Sequence, residues 1–166
     1  MPVLARPAAT YPGLIPASAA GRDHVFFFGT LMHEVVLEAV LDRPVEHHET
    51  MSARLHGYRR ERAASASYPV LVGDPGGVVE GRLLQRPSAR DIWRINHFED
   101  DEYGATRLTV RAGGEHHSAW VFIALDHVET MRPSGEPWHL ERWAAAHLES
   151  YREAIEHWMA DAPVSY

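Results

Sequence analysis

The chain has 166 residues, 45% of them hydrophobic, and a formal charge of -7. One domain of this size buries roughly two thirds of its unfolded surface, and the acidic balance, with no basic cluster larger than Arg59-Arg60-Glu61-Arg62, argues against capture of nucleic acid or an anionic membrane. Cysteine and lysine are both absent, which excludes disulfides, thiolate nucleophiles, Schiff-base lysines and the GxxxxGK phosphate loop.

Residues 1–23, MPVLARPAATYPGLIPASAAGRD, are rich in proline and alanine and lack a basic start followed by a continuous apolar run, so they read as a flexible leader rather than a secretory signal. A single domain is expected from 24 to 166. HVFFFGTL, 24–31, is a short apolar run closed by Gly29-Thr30 and predicts a buried strand. HEVVLEAVLD then puts Val36, Leu37, Val40 and Leu41 on one helical face, with Pro44 as a stop. Residues 50–58 alternate Met51, Ala53, Leu55 and Gly57 against polar neighbours, as a half-buried strand does.

YPVLV and VVEGRLLQ around GDPGG predict a hairpin with a Pro-Gly-Gly connection. Ser88 starts a helix as N-cap, with Asp91 three positions on and Ile92, Trp93, Ile95 and Phe98 as its apolar side. ATRLTVR and HSAWVFIAL follow, joined by AGGE, whose glycine pair suits a hairpin turn. Residues 137–160 repeat apolar positions at spacings of three and four, predicting a long amphipathic helix with Trp143 and Trp158 in its packed stripe. Six strands, short helices and this long one make an α+β domain with a curved or barrel-like sheet.

Two motifs carry chemistry. HFEDDEY, His97 to Tyr103, sets four carboxylates side by side at a helix exit, where negative charge opposes the helix dipole. Flanked by Phe98 and Tyr103, one of them is a candidate general base, because desolvation and neighbouring carboxylates both favour its acid form. In FFFGTLM, amides after Gly29 lead into a helix and suit an anion or a developing oxyanion. The pairs His47-His48 and His116-His117 point to opposite faces of an extended chain and read as surface residues, not metal ligands. Ser65 and Ser67 lack a nucleophile elbow. Trp138, Trp143 and Trp158 read as core.

FFFGTLM, LHGYRRER, YPVLV, VVEGRLL and INHFEDDEY occur in an order and spacing that resembles the γ-glutamylcyclotransferase-like family, which includes γ-glutamylamine cyclotransferases and plant avirulence-induced proteins. The resemblance spans about residues 24–125. It implies a small mixed β-barrel, cofactor-independent and metal-free, that converts a γ-glutamyl amine or peptide into 5-oxoproline and a free amine. It implies Glu99 as catalytic acid/base, Phe28, Gly29, Thr30 and Leu31 as the loop holding the γ-glutamyl group, and Tyr68 and Tyr103 as further substrate contacts. The expected partner is a small γ-glutamyl substrate, the expected location cytoplasmic, and the expected state a monomer or small homo-oligomer. Here Phe28 replaces a usual tyrosine and Asp100 a usual glycine. The alternative readings are a catalytically inactive small-molecule pocket, and hydrolysis or acyl transfer on another amide with Glu99 activating water.

Overall fold

Strand β1 (His24–Phe27) is buried on both sides. Alternation sends Phe26, and Phe28 just beyond it, into a cluster with Leu55, Val79, Leu83, Val110 and Val121. Val25 and Phe27 face a second cluster, shared with the helices, that contains Val36, Val40, Leu41, Ile92 and Ile95. Burial on both faces explains the uninterrupted apolar run. The computed structural model describes residues 13–99, 103–125 and 131–162.

Around β1 the sheet closes on itself. β1 pairs antiparallel with β3 (Pro69–Leu84), Val25 opposite Leu84, and parallel with β5 (Glu115–Ala124), Val25 opposite Trp120. β5 pairs with β4 (Tyr103–Ala112), β4 touches β2 (Thr50–Ala63) at Arg111 opposite Arg54, and β2 runs the length of β3. Five strands thus form a barrel, and β6 (Pro133–Pro137) lies on the free edge of β2. Gly113 and Gly114, at φ +58° and +80°, make the tight β4–β5 turn that two left-handed residues allow.

The hairpin expected at GDPGG is not formed. YPVLV and VVEGRLL are two halves of one strand, β3, and both pair with β2: His56 faces Val78 and Tyr58 faces Gly73, so residues 74–77 bulge opposite Gly57. The reversal comes earlier, where Ala63 donates to the carbonyl of Tyr68 at 3.0 Å. β2 accordingly continues to Ala63 instead of ending near Tyr58.

Among the described residues, three α-helices pack outside. α1 (Glu34–Leu41) buries Val36, Leu37, Val40 and Leu41 and ends at Asp42, which adopts φ +55°. α2 (Ala89–Glu99) opens on a reciprocal cap: the amide of Asp91 donates to Ser88 Oγ at 3.1 Å, and the Ser88 amide to Asp91 Oδ2 at 3.2 Å. α3 (Leu140–Trp158) begins later than 137 because Pro133–Pro137 is committed to β6. Trp138 and Trp143 are core, their indole nitrogens donating to the carbonyl and hydroxyl oxygens of Ser67 at 2.7 and 3.3 Å. Trp158 is not core, being 48% exposed at the far end of α3.

The described part of the leader is packed. Gly13 bridges Ala105, Ile15 is buried, and the Asn96 side chain exchanges two hydrogen bonds with the Ile15 backbone at 2.9 and 3.0 Å. Among the described residues no helix is long and apolar enough to cross a membrane.

Candidate active site

Where β1 leaves the barrel, the chain must turn sharply to enter α1, and a cavity of about 580 Å³ opens beside that turn. Gly29 sits against Pro69, and the 3-10 turn Thr30–Met32 follows, closed by the Met32 amide on the Gly29 carbonyl at 3.0 Å. The amides of Thr30 and Leu31 precede that bond and lie outside the turn's own hydrogen bonding. Arg60, reaching from β2, donates from Nη1 to the carbonyls of Phe28 at 2.8 Å and Glu80 at 3.0 Å. Its guanidinium stacks 5.3 Å above the Trp138 ring, and burial lowers its pKa. The turn is therefore held from beneath by a cation that does not itself line the cavity.

Phe28, Gly29, Thr30, Leu31, Tyr68, Tyr103 and Glu99 all line this one cavity. Glu99 is the last residue of α2 and half-buried. Asp100, Asp101 and Glu102 lie outside the described residues, so of the acidic run only Glu99 is described. The Tyr68 and Tyr103 rings meet at 6.5 Å, and the Tyr103 hydroxyl donates to the Pro69 carbonyl at 3.3 Å.

Apart from Phe98, already marked as a flank of the carboxylates, sequence reasoning missed the opposite wall. Asn96, His97 and Phe98 line the cavity from α2, and Tyr151, His157, Trp158 and Asp161 from the end of α3 and the 3-10 turn Met159–Asp161. His97 Nε2 lies 3.1 Å from the Trp158 carbonyl, tying the two helix ends together. Phe98 meets Tyr151 edge-on at 6.4 Å, and Tyr151 meets Trp158 edge-on at 5.5 Å. A usable signal was present: Tyr151 and Trp158 sit on the apolar stripe of α3 at a spacing that returns to the same face. Among the described residues no group of three His, Cys, Asp or Glu side chains could hold a metal ion.

The volume lies in the range of small-molecule sites, and the lining is largely aromatic, with two carboxylates, Glu99 and Asp161, and a glycine turn. A five-stranded barrel with a cavity at the end of β1 is a γ-glutamylcyclotransferase-like fold. The chain belongs to the gamma-glutamyl cyclotransferase, AIG2-like family, whose model matches residues 25–145. Protein AIG2 C of Arabidopsis thaliana is 28% identical over 138 residues, covering 80% of this chain and 78% of that protein. A solution structure of an Arabidopsis thaliana protein superposes with a TM-score of 0.58 at 25% identity, covering 81% of this chain and 80% of that one. The fold is also that of an uncharacterized Homo sapiens protein, with a TM-score of 0.50 at 13% identity, covering 87% and 90% of the two chains.

Proposed function

We propose that the protein cyclises a γ-glutamyl amide, releasing 5-oxoproline and the free amine, with Glu99 as general acid/base. The observation that carries the reading is the single cavity shared by Glu99 and the Gly29–Leu31 turn in a chain of this family. The substrate's α-amine attacks its own γ-carbonyl carbon; the new C–N bond closes a five-membered lactam as the old amide C–N bond breaks. Glu99 takes the proton from the attacking nitrogen and delivers it to the departing one. The nucleophile is already tethered, so much of the rate comes from folding the glutamyl chain into attacking geometry inside a confined space. On this reading the amides of Thr30 and Leu31 hold the substrate's anionic head.

Incubation of wild type and Glu99→Gln with a panel of γ-glutamyl amides and dipeptides, read as 5-oxoproline release, tests it. Wild type is expected to turn over, and the variant to lose at least ~100-fold with an unchanged circular dichroism spectrum. No release from any panel member, or full activity in the variant, overturns the reading.

A further inference from the structure

The family match stops at residue 145, but the cavity wall does not. Tyr151, Trp158 and Asp161 close the cavity from segments beyond the matched residues. Its chemistry is aromatic. Phe98, Tyr151 and Trp158 form a chain of edge-on contacts, with interplanar angles of 83° at both steps, that starts one residue before Glu99. The His97–Trp158 link at 3.1 Å holds the end of that chain against α2. An indole 48% exposed at a cavity gains when another ring covers it.

Charge selects in the same sense. Glu99 and Asp161 both line the cavity, no arginine does so among the described residues, and the chain has no lysine. A leaving amine bearing its own α-carboxylate would bring a further carboxylate beside those of Glu99 and Asp161, with no arginine or lysine among the described lining residues to receive it. An uncharged ring meets no such penalty. Resting on the cyclisation reading, with the γ-glutamyl head at the Gly29–Leu31 turn, we infer that the aromatic wall is the leaving-group subsite and that the substrates are γ-glutamyl amides of carboxylate-free aromatic amines, not γ-glutamyl amino acids.

The experiment compares kcat/KM for γ-glutamylbenzylamide, γ-glutamylpropylamide, γ-glutamylalanine and the mono-γ-glutamyl amide of a diaminopentane, in wild type and Trp158→Ala. In wild type the benzylamide is expected to lead the propylamide by up to about tenfold, the scale of one good aromatic contact, and γ-glutamylalanine to be poorest. In Trp158→Ala the benzyl-to-propyl ratio falls towards one, mainly through KM. A preference for the alanine dipeptide, a preference for the cationic diamine amide, or a ratio unmoved in the variant overturns the inference while leaving cyclisation intact. If no compound yields 5-oxoproline, cyclisation falls instead, and titration calorimetry with γ-glutamylbenzylamide decides the subsite: binding about tenfold weaker in Trp158→Ala supports it, and equal binding or none overturns it.

Discussion

Replacing Asp91 by alanine tests what holds α2, the helix that carries Glu99 at its other end. Asp91 is 2% exposed and does two things at once. Its carboxylate accepts Arg43 Nε at 3.0 Å and Nη2 at 2.9 Å, and it closes the reciprocal cap with Ser88. Loss of the cap costs about 1 kcal/mol. Loss of hydrogen bonds to a charged partner costs about 1.5–3 kcal/mol, and the lower end applies because Arg43 keeps Glu49 at 2.8 Å and remains partly hydrated. The expected destabilisation is therefore about 2.5 kcal/mol, below the ~3–5 kcal/mol reached when a buried charge loses its sole partner. Urea unfolding followed by circular dichroism measures it, and a double-mutant cycle with Arg43→Met isolates the pair, with a coupling of at least ~1 kcal/mol expected. A loss under ~1 kcal/mol, or a cycle that is additive, would show that the Asp91–Arg43 pair does not hold α2.

Acid should weaken the fold through Glu49 and Glu61. Hydrogen bonds from Arg43 and from Arg59 hold their carboxyls below the ordinary value of 4.5, so this stabilisation is complete above about 4.5 and is lost as pH falls through the depressed folded values. Glu49→Gln should cost about 1–2 kcal/mol in neutral urea titrations, with the gap to wild type closing below pH 4; a gap independent of pH would contradict the pairing. Gly81→Ala drives a methyl into the Phe27 carbonyl and the Phe26 ring, and should lower stability by at least about 2 kcal/mol in the same assay. Gly29→Ala meets the Pro69 ring, Cγ at 3.1 Å and Cδ at 3.3 Å, and can be absorbed by a small shift of the turn, so its melting temperature should stay close to wild type while kcat/KM for γ-glutamyl amides drops about tenfold.

Where signals were local, the sequence was readable. Ser88 and Asp91, Gly113-Gly114 and the Val36–Leu41 face each specify their element within a few residues, and the structure forms all of them. GDPGG failed for the opposite reason. Pro75, Gly76 and Gly77 carry the residue types of a reversal, yet what the fold needs there is a bulge pressed against the neighbouring strand. A Cβ on Gly77 would collide with the Tyr58 carbonyl, so that glycine answers a close approach from β2, a partner that periodicity does not name. The packed part of the leader is another tertiary effect, since Ile15 is pinned by Asn96 from 81 positions away.

The site divides along the same line. The Gly-Thr turn and Glu99 lie in compact motifs, so the residues on that side of the cavity could be named before any coordinates. The part of the aromatic wall on α3 shows in the sequence only as an apolar stripe, because Trp143 and Trp158 follow the same helical face and differ only in what lies beneath them. Under Trp143 runs the β2–β3 connection, whose Ser67 hydroxyl accepts a hydrogen bond from its indole N–H. About four turns on the barrel has ended, and the stripe that was core overhangs a cavity. A hydrophobic period records that a helix has one apolar face, and it is silent on how far the supporting body extends beneath that face. On an amphipathic helix longer than the sheet it covers, the terminal aromatics are therefore the positions where a core assignment is least secure and a ligand wall becomes the competing one.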